Sequence, residues 1–421
     1  MVKTANMAIA ANTGKEAQLN IDKICAFLAA EGYSLKLRTF SAIDKYLRLP
    51  SLPYIWAETS ANIAVLAKFI ENLRFPGMDI ADGAVDLSEG TLYFRCLEGN
   101  EQSSRSFPLL SLVYNWQTGR FQDPLGIYPL IRRLHTTLED ASLAESAAAA
   151  NTDRYRLIMD SSLFLARYPI ETGTRRQQEA FFEAIESCGA GLQPGNYDAR
   201  LRPMGVRPCP EKQRAFLSCL LVSPWPHRGF HVLKRTGFLE EFWPELSGLD
   251  NVDHSKEFHP EGNVWNHTME TFRHRKALGS GAFDLRLSLG LLLHDAGKPI
   301  AASSGSRRFD GHAELGAAAA SRFLERLGFG PSLSEDVFYL VKNHMLPAAL
   351  KRLPVAKTRK IMTSPVFPTL MELYRCDESS SFKGLDDFYE NSAAYQNYLK
   401  NLRNPYRSDD GKKTGKKNIR Q

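Results

Sequence analysis

The chain has 421 residues, 43% of them hydrophobic and 24% charged, with 53 Lys and Arg against 47 Asp and Glu and hence a formal charge of +6. That length implies two or three domains, each long enough to bury a core, and the composition excludes disordered, collagen-like and fibrous classes. No run approaches the roughly 18 consecutive apolar residues of a membrane span, and the opening MVKTANMAIAANTGKEAQ lacks the basic start and apolar stretch of a secretory signal, so a cytoplasmic protein without membrane contact is expected.

In chain order, KICAFLAAEGY from Lys23 predicts a helix stopped by Gly32. LYFRCLE around Tyr93 and FPLLSLVYNW over Phe107 to Trp116 are apolar and aromatic enough for strands, followed by turn residues in QTG and RFQDPLG. From about Asp153 strand signals nearly vanish. Helical apolar spacing runs through Tyr155 to Ala166, Arg175 to Glu186, Pro210 to Leu221 and Gly229 to Leu233. A third block begins near Asn251, holds seven of the ten histidines and is helical throughout, with DLRLSLGLLLHD, LGAAAASRFLERL and SEDVFYLVKNHM as its clearest members. The expected domains are therefore 1–150 (mixed α/β), 151–250 (a helical neck), 251–399 (an all-helical domain) and 400–421 (a disordered basic tail).

The six cysteines lie far apart with no CxxC pair, which argues against a zinc knuckle or a disulfide framework. The charge is equally uninformative about the folded body. Residues 400–421 carry 8 positive and 2 negative side chains, whereas residues 1–150 carry 14 and 16, so the net charge resides in the tail. Without it there is no overall attraction to a polyanion.

The richest feature is His267, the adjacent pair His294-Asp295, His312, His344 and Asp377. His294 and Asp295 close the apolar run LSLGLLLHDAGKP, where an imidazole and a carboxylate are costly to bury unless they share a ligand. Neutral imidazoles with carboxylates suit a divalent ion such as Mn, Ni, Co, Fe, Mg or Zn, and the absence of thiolates argues against a structural zinc.

These motifs carry a resemblance. LLLHDAGKP is similar to the central motif of the HD superfamily of metal-dependent phosphohydrolases. In order, FHPEGNVWNHT, LLLHDAGKP, FDGHAELGA and LVKNHM resemble the HD domain of the bacterial tRNA nucleotidyltransferase (CCA-adding enzyme) and poly(A) polymerase family. The resemblance implies His267, His294, Asp295 and Asp377 as primary metal ligands, His312 and His344 as ligands of a second metal or a phosphate, Asp295 as the residue that also orients water, and Lys298 as a phosphate-facing cation, with a plain alternative as a helix C-terminal cation. It also implies an α+β chain: a small mixed α/β nucleotidyltransferase-like domain, then a helical neck and the helical HD domain.

The front departs from that family's pattern of a GG turn, Arg-Asp and Asp-x-Asp. In RTFSAIDKYLRLPSLPYIWAETSAN, Asp44 matches the Asp of Arg-Asp, but Thr39 and Phe40 replace the glycines, and Pro53 and Ile55 replace the metal carboxylates. In SRSFPLLSLVYNW, Arg105 persists while Ser106 and Leu110 replace polar residues. Arg156 and Arg214 match nucleotide- or RNA-binding arginines of the neck. The expected function is a divalent-metal phosphohydrolase acting on a phosphate-ester small molecule or an RNA end, with tRNA as a further candidate partner. Two alternatives stay open. One is a working CCA-adding enzyme whose carboxylates come from elsewhere, for instance Asp79, Asp82 and Asp86. The other is a non-catalytic RNA- or nucleotide-binding regulator.

Overall fold

The structure, a computed structural model, describes residues 19–77, 80–97, 110–126, 128, 154–169, 179, 207–253, 262–303, 309–381 and 384–413. The front part holds α1 (Ile21–Ala30), β1 (Leu35–Leu37), α2 (Thr39–Leu47), β2 (Tyr54–Thr59), α3 (Ile63–Phe69), β3 (Gly83–Leu87), β4 (Gly90–Cys96), β5 (Val113–Asn115) and β6 (Arg120–Gln122). Asn20 caps α1 by accepting from the Lys23 amide at 2.9 Å, and the chain turns at Gly32 with φ +81°. The six strands form one sheet in the order β3-β4-β2-β1-β5-β6, with β2 and β4 parallel and the other pairs antiparallel. Of the strand expected over Phe107 to Trp116, residues 107–109 lie outside the described residues, Val113–Asn115 is a strand, and irregular chain over 110–112 buries Leu110 and Leu112. Burial, not pairing, accounts for the apolar character of that stretch.

Beyond the sheet the described residues are helical. They form α4 (Arg154–Arg167), α5 (Pro210–Leu221), α6 (Pro226–Arg235), α7 (Phe238–Phe242), α8 (Pro244–Ser247), α9 (Val264–Thr271), α10 (Leu285–Leu293), α11 (Lys298–Ser303), α12 (His312–Arg326), α13 (Pro331–Asn343), α14 (Val355–Met362), α15 (Phe367–Ser379) and α16 (Asp386–Arg403). This is the α+β arrangement expected. The helix expected over Arg175 to Glu186 lies, apart from Glu179, outside the described residues.

Buried side chains from the sheet, the neck and the histidine-rich block join one continuous core, from Leu28 and Phe94 through Phe216 and Trp243 to Leu291 and Phe323. Polar pins cross it. The buried Arg275 guanidinium donates to Leu221 O at 2.5 Å, Ser223 O at 2.8 Å and Ser288 Oγ at 2.7 Å, so one side chain ties α10 to the end of α5. The polar composition after residue 400 suggests a disordered tail, but residues 400–413 are ordered. Tyr395 and Tyr398 are buried and carry α16 on to Arg403, and Asp409 then pairs with Arg359 at 3.0 Å. Residues 414–421 lie outside the described residues.

Candidate metal centre

All six sequence-predicted ligands meet at one place, and two glycines let their helices approach. A Cβ on Gly290 of α10 would lie 2.9 Å from Leu340 of α13 and 3.0 Å from Leu373 of α15, the helices that carry or precede His344 and Asp377. A Cβ on Gly297 would lie 2.0 Å from His312 O. Asp284 caps α10 through the Arg286 and Leu287 amides at 2.8 and 3.2 Å, and the helix delivers His294 and Asp295 into the core, each 1% exposed.

Asp295 is the hub. Its Oδ2 lies 3.3 Å from His294 Nε2 and accepts from Lys298 Nζ at 2.7 Å, while its Oδ1 lies 3.7 Å from His312 Nε2 and 3.9 Å from His344 Nε2. Ligand atoms of His267, His294 and Asp295, and separately those of Asp295, His312 and His344, fall within 4.8 Å of one another. Asp377 completes the first group, with Oδ1 at 2.9 Å from His267 Nε2 and 4.0 Å from His294 Nε2.

Proton positions decide what these groups can hold. Nδ1 of His294, His312 and His344 donates to the carbonyls of Leu291, Phe309 and Val341 at 2.8, 2.9 and 2.7 Å. Each neutral ring therefore turns a lone pair on Nε2 inward. His312 and His344 present Nε2 to Nε2 at 3.1 Å, and His294 Nε2 is buried with no hydrogen-bond partner. Ser380 Oγ donates to Asp377 O at 2.6 Å and so accepts from His267 Nδ1 at 3.2 Å, while His267 Nε2 lies within hydrogen-bond distance of Asp377 Oδ1, at 2.9 Å. Lone pairs converging in a buried space require a cation. The residues fit divalent metal.

The electrostatics agree. Burial opposes ionisation of Asp295, but His294 and Lys298 overcome it and hold the carboxyl well below the usual carboxylate range. Burial likewise opposes Asp377, and the His267 hydrogen bond and charge bring it down. Burial, followed by the charge of His294, pushes the His344 imidazole down to about 4. Burial also lowers His312, against the pull of Asp295. Both rings are thus neutral ligands at neutral pH. Lys298 opens α11 and bonds Asp295, so it is not a helix C-terminal cation. Ser380 and Phe309 escaped the sequence reading: one is an ordinary serine in SSS, and the other acts through its backbone.

The HD domain family matches residues 264–367 of this chain, a span that includes five of the six candidate ligands, all but Asp377. A "Multifunctional CCA protein" of Halorhodospira halophila is 33% identical over 38% of this chain and 35% of its own length. A "CC-adding tRNA nucleotidyltransferase" of Thermus thermophilus is 32% identical over 46% of this chain and 44% of its own. An "A-adding tRNA nucleotidyltransferase" of Deinococcus radiodurans is 26% identical over 81% of this chain and 75% of its own. Residues 264–367 thus match an HD domain, and the chain is similar in sequence to tRNA nucleotidyltransferases. It spans less than half the length of the first two relatives.

The front part differs at several positions from the pattern that the family resemblance implies. Thr39 keeps a left-handed backbone, φ +52°, where the family resemblance calls for glycine. Asp44 is buried and bound by Arg167 Nε and Nη2 at 3.1 and 3.2 Å and by the Tyr168 hydroxyl at 3.0 Å. It joins α2 to α4, and its charge is already matched by the Arg167 guanidinium. Pro53 precedes β2 and Ile55 is a core residue. A cleft of about 470 Å³ remains, lined by Thr39, Phe40, Trp56, Tyr93, Arg156 and Phe216 among others. Its carboxylates Glu58 and Asp160 pair with Arg38 at 3.3 Å and Arg156 at 3.7 Å. The proposed substitute carboxylates are occupied as well: Asp82 accepts from the Cys96 amide at 2.7 Å and Asp86 from Arg74 at 2.8 Å, and Asp79 lies outside the described residues. These residues do not fit the paired Mg²⁺ ions of nucleotidyl transfer. Of the arginines, Arg156 lines the cleft, Arg214 lines a separate cavity and donates to Gly328 O, and Arg105 lies outside the described residues.

Proposed function

We propose that this chain is a divalent-metal phosphohydrolase of the HD type, acting on a phosphate monoester or diester of a nucleotide or RNA end. The observation that carries the proposal is Asp295, which belongs to two groups of buried ligand atoms at once, one with His267 and His294 and one with His312 and His344. A bound divalent ion would supply Lewis acidity toward a phosphoryl oxygen and increase the acidity of water at the site. The chain's own residues do the rest. His267, His294, Asp295 and Asp377 would hold one ion, and His312, His344 and Asp295 a second. Lys298, at 2.7 Å from Asp295 Oδ2, keeps that carboxylate ionised and aimed, and its ammonium would offer a cation to a phosphoryl oxygen at the site. Burial of the ligand set keeps bulk water away from charge developing on the ester.

The test is hydrolysis of bis-p-nitrophenyl phosphate and of 2′,3′-cyclic nucleotides with Mn²⁺, Ni²⁺ or Co²⁺. Activity is expected in the native chain and lost in the His294→Ala, Asp295→Ala double variant. Activity untouched by that variant contradicts the proposal.

A second reading, nucleotide addition to tRNA, draws on the names of the relatives, one of which aligns over 81% of this chain. It predicts incorporation of CTP or ATP into tRNA lacking its CCA end. The ion-paired state of Glu58, Asp160 and Asp44 weighs against it.

A further inference from the structure

His294 and His344 follow the last turns of α10 and α13, so the carbonyl three residues earlier, which fixes each ring, belongs to a helix. His312 is different. It is the first residue of α12, and no helical turn precedes it. Its Nδ1 nevertheless donates to the carbonyl three residues back, at 2.9 Å, and its backbone amide donates to the same oxygen at 3.0 Å. That oxygen belongs to Phe309, whose φ is +54°, a left-handed conformation that a bulky aromatic residue rarely adopts. The Phe309 ring packs against the main core, and the Lys298 ammonium lies 6.0 Å from its centroid.

We propose that Phe309 is a positioning residue of the metal centre. Its anchored ring holds a strained backbone whose carbonyl stands in for the missing helical turn, and this fixes His312 as the Nδ1–H tautomer with Nε2 turned toward Asp295. Strain maintained beside a ligand is the pattern expected where geometry serves function rather than stability. The inference rests on the metal-centre reading above, but its first measurement needs no metal.

The experiment uses the full chain labelled with ¹⁵N-histidine, in EDTA near pH 7.5, as wild type, Phe309→Tyr and Phe309→Gly. Long-range ¹⁵N–¹H spectra report the His312 tautomer. Wild type and Phe309→Tyr are expected to show Nδ1–H alone, and Phe309→Gly a mixture of tautomers at an undiminished melting temperature, because glycine relieves the strain. Calorimetric titration with Mn²⁺ should then show the second equivalent weakened by about tenfold or more in Phe309→Gly, as for other partners that orient a metal ligand, with the first equivalent unchanged. If Phe309→Gly unfolds, Phe309→Asn, which also tolerates a left-handed backbone, must show the same tautomer mixing. A pure Nδ1–H tautomer with wild-type affinities in the ring-less variants overturns the proposal. Absence of any Mn²⁺ binding by wild type counts against the metal-centre reading instead, while the tautomer comparison still decides the role of Phe309.

Discussion

The cleft of the sheet domain and the histidine cluster are both places where the family resemblance implies metal ions, and they have opposite internal bookkeeping. In the cleft the carboxylates are neutralised: Glu58 by Arg38, Asp160 by Arg156, and Asp44 nearby by Arg167 and Tyr168. In the cluster the hydrogen-bond donors of the rings are spent outward on backbone carbonyls and Ser380, so acceptors face acceptors inside. Position in a fold does not identify a working metal site. The distinction lies in whether its acceptors have been supplied with protein cations or left for something else.

The sharpest way to break this comparison is to remove the hub. Asp295→Ala should lower Mn²⁺-dependent hydrolysis by roughly a thousandfold or more, because both ion positions lose a ligand at once, as read from initial rates. On the sheet side the corresponding change should affect stability alone. Arg167→Met leaves the Asp44 charge buried and unpaired, which costs about 3–5 kcal/mol. The melting temperature should fall by many degrees while hydrolysis per folded molecule is unchanged. Loss of hydrolysis at constant stability in this variant would erase the contrast between the regions.

A smaller effect is expected at Ser380. Ser380→Ala removes the acceptor that orients His267, and metal affinity should drop about 10–100-fold, measured by calorimetry; wild-type affinity would show that Asp377 alone orients the ring. The metal-free protein should also lose stability in acid. His344 is held down to about 4 in the fold, below the ordinary value of about 6.5 in the unfolded chain. The unfolded state therefore binds the extra proton first, and stability declines as pH falls from about 6.5 toward 4, at up to about 1.4 kcal/mol per pH unit for this group. His227, also held near 4 by burial and then by the Arg273, Arg228 and Arg275 charges, adds to the same decline. Melting curves in EDTA should flatten over that range in His344→Gln. The smallest effect is expected at Glu58→Gln, which should leave hydrolysis per folded molecule unchanged, since Glu58 lines the cleft and pairs with Arg38 there and not with the histidine cluster.

Much of this was legible in residue types. The apolar run before His294-Asp295 and the spacing of α5 from Pro210 to Leu221 could be read directly, because burying polar groups in an apolar helix is a chemical statement in any context, and the six His and Asp positions that the motifs single out lie together in the fold. What could not be read depends on backbone or on distance. The left-handed conformation of Phe309 has no signature in a residue type that rarely adopts it, and Asp44 and Arg167 are 123 positions apart. The ordered stretch after residue 400 was hidden for a related reason: its polar surface faces out, while Tyr398 on the preceding turns faces in.

The central claim is that the histidine cluster, not the sheet-domain cleft, is the working metal site. Metal content after equilibration with Mn²⁺ and desalting tests it most directly, compared between wild type, His294→Ala with Asp295→Ala, and Glu58→Gln with Asp160→Asn. Retention of metal by wild type and the cleft variant, with loss in the cluster variant, is the predicted result. Metal retained by the cluster variant and lost from the cleft variant would contradict it.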